Sequence, residues 1–375
     1  MINELENTNC KSIYIHIPFC KRKCNYCAFV SFTNIDEFEE KYTNALIKEL
    51  NSYTISANIK TIYLGGGTPN LLSINNWEKI FDCINKKFSF VNNPEITMEF
   101  NPALSNKEYL TQIKSFGVNR ISIGVQSFQE NILKTLNRLH TKQEALQMIN
   151  WAQTIGFKSH SIDLIYGIFG QTEQALKQDL KILKSLNIPH ISTYGLKIEE
   201  GTPFEKFDKS NLPTEEACEK MYLLISNSLE EIDYTHYEIS NFSKENHQSQ
   251  HNLTYWHNEE YLGIGTGAHG YINGIRYQKP NTIKEYIKNP LFCEILNKNT
   301  TEDFFEETIF LGLRLKEGID LTQIKDKFHI DLYKNKKTVI DKFINNNLAK
   351  LKNNKLSLTT KGFLLSNYII GEILS

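Results

Sequence analysis

The chain has 375 residues, 40% of them hydrophobic, and 42 lysines and arginines stand against 43 aspartates and glutamates for a net charge of −1. That length allows a large core and two or three domains, or one barrel with additions. The even charge excludes a general nucleic-acid binder and a disordered acidic chain, and no window approaches the roughly 18 apolar residues of a membrane-spanning helix.

Ser12 to Ile17 is predicted as a strand, rich in β-branched and aromatic residues and stopped by Pro18. Ile35 to Tyr53 follows as an amphipathic helix, with Phe38, Tyr42, Ala45, Leu46 and Leu50 at helical spacing. Thr61 to Leu64 is a short strand running into Gly65-Gly66-Gly67, and Asn75 to Phe88 is helical. Glu95 to Phe100 is a strand, and Lys107 to Phe116 is a helix closed by Gly117. Asn119 to Val125 is a fourth strand, followed by two helical stretches before Gly156. Phe157 to Tyr166, a helix from Thr172 to Leu186 and a strand from Ile191 to Leu196 complete six strand–helix units. Such alternation implies parallel strands. The fold class expected is α/β, a partial (β/α)6 barrel with a small C-terminal module that is helical and winged-helix-like.

Beyond about residue 200 the rhythm loosens. A hairpin is expected near Asn346–Leu358, and a last helix from Thr360 to Leu374. Three parts are drawn: a barrel over 1–235, a connecting region over 236–300 and a C-terminal module over 301–375.

Seven cysteines are too sparse for a disulfide scaffold, and three of them, Cys20, Cys24 and Cys27, sit within eight residues. The other four read as small apolar or surface side chains. The opening segment, Met1 to Cys10, shows no leader pattern, so a reducing cytoplasm is expected, with at most peripheral membrane contact. The triplet follows the first strand. Three thiolates suit a soft metal centre. A cubane iron–sulfur cluster takes three of them and keeps one iron open, whereas structural zinc wants a fourth protein ligand, for which His16 is the local candidate. His16 also reads as a packing residue within its strand.

The Cys20-x3-Cys24-x2-Cys27 pattern resembles the signature of the radical S-adenosylmethionine (SAM) superfamily. The wider context, Tyr14-Ile-His-Ile-Pro-Phe-Cys20 with Tyr26-Cys27, resembles one branch of it. That branch holds HemN, the oxygen-independent coproporphyrinogen III dehydrogenase, and HemW, a haem chaperone. The resemblance covers nearly the whole chain. It implies a [4Fe-4S] cluster on Cys20, Cys24 and Cys27, with SAM chelating the open iron. It implies SAM contacts from Tyr14, from Gly66, Gly67 and Thr68 in the loop after the second strand, and from Glu99, Gln126, Arg138 and Asp163. The chemistry of these types is apt. Carboxylates accept from ammonium or hydroxyl groups, and arginine pairs with a carboxylate. Tyr26 would shield the cluster.

Within the branch, three features resemble HemW. Tyr14 stands near the start, where HemN enzymes carry a longer extension. Phe29 occupies the place of a fourth cysteine of HemN. His251-Asn-Leu-Thr-Tyr-Trp256 matches the HNxxYW motif associated with haem binding. Imidazole is a common axial haem ligand, and Tyr255 and Trp256 could stack on a porphyrin. His251 is therefore the expected haem ligand, ahead of His247, His257 and His269. Three departures stand out: Ile168-Phe169 where relatives read Leu-Pro, Ala28 in place of Asp, and Ser249 in place of Cys. The resemblance implies a haem chaperone that delivers haem to acceptor proteins such as respiratory enzymes, with an electron donor and a homodimer among its partners. The alternatives are oxidative decarboxylation of coproporphyrinogen III and a zinc-stabilised binding module.

Overall fold

The computed structural model describes residues 7–375. Residues 1–6, part of the segment read for a leader, lie outside the described residues. The chain forms two compact units, one of residues up to Thr214 with Glu260–Lys298, the other of Glu215–Glu259 with Asn299–Ser375. These units cut the chain differently from the expected 1–235, 236–300 and 301–375. The segment after Glu259 returns to the first unit, and the helix beginning at Glu215 belongs to the second.

The first unit is built on strands β1 (Ser12–Ile17), β2 (Ile59–Gly66), β3 (Phe90–Phe100), β4 (Arg120–Gln126), β5 (Ser159–Tyr166), β6 (His190–Gly195) and β7 (Leu262–Ile264). All six predicted strands are present and parallel, in sequential order from β1 to β6. The short β7 was not foreseen. It pairs in parallel with the open side of β1. Helices α1 (Glu39–Ser52), α2 (Ile74–Lys87), α3 (Lys107–Ser115), α4 (Glu130–Thr135), α5 (Lys142–Ile155) and α6 (Glu173–Ser185) connect successive strands. Local chemistry sets their ends. Thr141 makes a capping box with Glu144 at the start of α5, and Gly156 ends it in the left-handed region, with φ 77°.

Strand alternation sorts the side chains. Ile13, Ile15, Ile17, Ile62, Leu64, Met98, Ile121, Ile123, Ile162, Leu164 and Ile191 form the core. The intervening positions are polar: Tyr14 and His16, Tyr63, Thr97 and Glu99, Ser122, Ser161 and Asp163, Ser192. Register joins them across strands, with Tyr14 opposite Tyr63, Glu99 opposite Ser122 and Asp163 opposite Ser192. One face of the sheet is thus a polar floor.

The returning segment is anchored by a buried ion pair. Lys279 Nζ lies 2.7 Å from Glu49 Oε1 on α1, with both side chains at most 1% exposed. Tyr286 Oη donates to Glu49 Oε2 at 2.6 Å, and the Gly265 amide donates to it at 3.1 Å.

The second unit contains α7 (Glu215–Glu230), a hairpin of Thr235–Glu238 with Asn241–Ser243, and α8 (Gln250–Trp256). Its C-terminal part has the expected hairpin, Ala349–Lys352 against Lys355–Leu358, with Ile319–Asp320 as a third antiparallel strand. The hairpin turns on Asn353 and Asn354, at φ 50° and 60°, as a two-residue turn with both centres left-handed requires. The expected last helix is broken at Leu365 into Thr360–Leu364 and Ser366–Leu374. Among the described residues no helix is long and apolar enough to cross a membrane.

Candidate functional site

The cysteine loop leaves β1 through Pro18 and is tied down along its length. The Cys20 amide donates to the Phe32 carbonyl at 2.9 Å, and the Phe32 amide to the Pro18 carbonyl at 2.8 Å. At its far side the Asn25 amide donates to the Leu136 carbonyl at 3.1 Å, Asn25 Nδ2 to the Thr135 carbonyl at 2.8 Å, and Asn137 Nδ2 to the Lys23 carbonyl at 2.9 Å. The C-terminal end of α4 therefore braces the loop. Tyr26 packs against the apolar cluster of Ile132, Leu136, Ile165, Ile168, Phe169 and Phe204.

The three thiols are free and half-buried. Each has a different neighbour. Cys20 Sγ lies 3.4 Å from Thr68 Oγ1, and Arg138 Nη1 donates toward Cys24 Sγ at 3.4 Å. The Tyr26 hydroxyl is in hydrogen-bonding reach of Cys24 as well. Burial pushes the Cys27 thiol up from its ordinary range. Among the described residues no group of three or more His, Cys, Asp or Glu side chains is arranged to hold one metal ion. Ligands of a cubane bind separate irons and need not converge on a point. His16, the candidate fourth zinc ligand, is committed elsewhere. Its Nε2 donates to the Val30 carbonyl at 2.6 Å and its Nδ1 accepts from Tyr14 Oη at 3.0 Å. Burial lowers its pKa to about 4, so the ring is neutral.

His16 also explains the glycine loop. Gly66 has φ 117°, and a Cβ there would fall 2.7 Å from the His16 ring. A Cβ at Gly67 would fall 2.7 Å from the Phe19 carbonyl oxygen. Only glycine lets this loop lie so close over β1. The loop amides are used internally. Gly66 N–H donates to Glu99 Oε2 at 3.1 Å, and Gly67 N–H to the Ile17 carbonyl at 2.8 Å.

Glu99 ends β3 on the polar floor and also accepts from Tyr63 Oη at 2.8 Å. Burial raises its pKa to about 7, against the pull of these hydrogen bonds and with the Asp163 charge adding to the rise. Asp163 accepts from Ser122 Oγ at 3.1 and 3.2 Å, and burial raises it to about 6. Two such carboxyls side by side make a niche that favours a cation. Tyr63 and Ser122 were not singled out in the sequence. Their positions opposite Tyr14 and Glu99 were the available signal.

Strand β4 ends in an irregularity between Ile123 and Gln126. Gln126 sits at φ 66°, and the Ser127 amide bonds back to the Val125 carbonyl at 2.9 Å, a three-residue γ-turn centred on Gln126. Side chains from three places hold this turn. Arg138 Nη2 donates to the Gly124 carbonyl at 2.6 Å, and His140 Nε2 meets the Val125 carbonyl at 3.0 Å. Buried Asp179 of α6 accepts from Ser127 Oγ at 2.7 Å, the Phe128 amide at 3.0 Å and Gln129 Nε2 at 2.8 Å. Arg138 Nε is buried without a partner. A buried, unmet N–H is costly unless an acceptor arrives.

The structure thus gathers all of these in the first unit: Tyr14 and Asp163 within their strands on the polar floor, and the cysteines, Gly66, Gly67, Thr68, Glu99, Gln126 and Arg138 at or beyond the carboxyl ends of the strands. His251 lies in the second unit, on α8. Its ring is fully buried, with Nε2 2.8 Å from Tyr255 Oη. Burial lowers its pKa to about 3. Ser249, where relatives carry Cys, caps α8 by accepting from the Asn252 amide at 3.4 Å.

This parallel α/β sheet, with a three-cysteine loop after its first strand and polar groups at its strand ends, is that of a radical SAM protein. The radical SAM superfamily model matches residues 14–183, and the HemN C-terminal domain model matches residues 299–365. The fold resembles that of Escherichia coli coproporphyrinogen III oxidase (HemN), described as a radical SAM enzyme, with a TM-score of 0.86 and 20% identity over all of this chain and 92% of that one. In sequence the chain is 36% identical to the heme chaperone HemW of Lactococcus lactis over 97% of both chains. It is 36% identical to HemW of Bacillus subtilis over 97% of this chain and 99% of that one, and 38% identical to HemW of Escherichia coli over 70% of each. The chain belongs to the HemW family.

Proposed function

We propose that this protein is a haem chaperone that binds a [4Fe-4S] cluster, SAM and haem, and passes haem to acceptor proteins such as respiratory enzymes. One observation carries the cofactor part. Three half-buried thiols share a unit with a glycine loop, two half-buried carboxyls and an arginine with an unmet N–H. That donor set fits both groups. Cys20, Cys24 and Cys27 would hold the cluster, and its open iron would take the amino acid end of SAM. When bound and reduced, the cluster supplies one electron toward the sulfonium. The chain's own residues bind and orient. Gly66 and Gly67 present a loop whose amides are already spent, so it suits a donor such as an ammonium group. Glu99 and Asp163 favour positive charge, Gln126 offers an amide, and Arg138 Nε suits a carboxylate. Tyr14 closes the floor.

The haem role is assigned to His251 with Tyr255 and Trp256. A neutral imidazole is the form that ligates iron. In the conformation described, Tyr255 must first release Nε2. Haem titration of anaerobically reconstituted wild type and His251→Ala tests this. The variant is expected to lose affinity and to show an altered Soret band. Unchanged spectra and affinity would remove His251 from the haem site.

A further inference from the structure

The cysteine loop also carries exposed side chains to which the cofactor assignment above gives no role. Phe29, two residues past Cys27, is 68% exposed, more than any other large hydrophobic side chain among the described residues. Lys21 and Arg22, between Cys20 and Cys24, are exposed too. Lys23 joins these two arms. Its Nζ donates to the Phe29 carbonyl at 2.6 Å and to Ser31 Oγ at 2.9 Å, so the basic arm and Phe29 form one face beside the thiols. The chain as a whole is near neutral, with a net charge of −1, so this positive charge is local. An exposed aromatic with a basic rim has the anatomy of a protein contact, not of a solvated loop. Three cations around one ring are too few for a nucleic-acid track.

We propose that the face formed by Lys21, Arg22 and Phe29 docks a small acidic one-electron carrier protein. The proposal rests on the cluster assignment above and says where reduction takes place. The carrier's reduced cofactor gives up one electron and is oxidised by one. The cluster on Cys20, Cys24 and Cys27 accepts it, and no bond is made or broken. Electron transfer weakens steeply with distance, so a carrier must seat against the loop that holds the cluster. Lys21 and Arg22 steer the acidic partner, and Phe29 anchors it.

The test uses the full-length reconstituted protein, with an acidic flavodoxin in its hydroquinone form as probe and stopped-flow detection of cluster reduction. The wild-type rate is expected to fall steeply as salt is added. Lys21→Glu with Arg22→Glu should lower the low-salt rate constant by about tenfold or more and flatten the salt dependence. Phe29→Ala should slow the reaction severalfold at all salt concentrations. The dithionite-generated EPR signal should be equal in all proteins. Should the glutamate pair lose cluster, Lys21→Gln with Arg22→Gln is expected to give the same direction of change. Flavodoxin rates that ignore all these substitutions would overturn the proposal. So would substitutions that abolish sedimentation with phosphatidylglycerol vesicles but leave flavodoxin rates intact, since the face would then serve a membrane. A wild-type protein with no dithionite-reducible cluster would overturn the underlying cluster assignment instead.

Discussion

In the proposed site Glu99 would serve SAM binding at the expense of the fold. Its half-buried carboxyl lies beside Tyr14, Tyr63 and Asp163, and desolvation raises its pKa to about 7. The folded state therefore favours the protonated form. Ionisation costs nothing below the ordinary carboxyl range, where the group is neutral folded and unfolded. The cost grows as pH rises and is fully present above about 7. Glu99→Gln should thus raise the melting temperature of the cofactor-free protein at pH 8, with the gain vanishing near pH 4. A cationic ligand needs the ionised form. SAM affinity of the wild type should fall as pH drops below about 7, by up to about tenfold per pH unit, and Glu99→Gln should bind SAM weakly at every pH. Calorimetry across pH 4–8.5 measures both; a variant that is no more stable at pH 8 and binds SAM as wild type does would contradict this role of Glu99.

At the scale of elements, α6 and the end of β4 work together. Asp179 holds three groups of the Ser127–Gln129 segment and so fixes the γ-turn that aims Gln126. Asp179→Ala should weaken SAM binding at least tenfold while cluster content stays the same. Asp179→Asn keeps an acceptor for the Phe128 amide and should recover most of the loss. Equal SAM affinity in wild type and the alanine variant would exclude the positioning role.

The strand–helix rhythm made the barrel legible, because six strands and their helices each carry their own periodicity and punctuation. The cysteine spacing and the glycine run were legible for the same reason, being local. What escaped depends on contacts distant in sequence. Strand β7 is three residues long and takes its pairing from β1. Asp179 reads as one more charged residue on an amphipathic helix, and only the fold turns it inward. Gly124-Val-Gln126 reads as continuous strand, and the irregularity there is set by Arg138, His140 and Asp179. His16 was readable both as a zinc ligand and as packing. Its two hydrogen bonds and its place beneath Gly66 decide for packing.

For the molecule as a whole, the chain leaves the first unit at Glu215 and returns at Glu260, a path that local texture does not mark. The return is secured by Lys279 on Glu49, with Tyr53 and Tyr286 also donating to the carboxylate. Lys279→Met leaves that charge buried without its counter-ion. It should cost roughly 3–5 kcal/mol in denaturant unfolding, and adding Glu49→Gln should restore part of the loss. No change in the unfolding midpoint would mean that the pair does not hold the segment.

In the proposed function, three thiols and the polar floor together make one cofactor site. EPR of anaerobically reconstituted, dithionite-reduced protein with and without SAM tests it most directly. A cubane cluster signal that SAM shifts is expected in wild type, and Cys24→Ala is expected to lack it. A wild-type signal that is absent, or that SAM leaves unmoved, would contradict it.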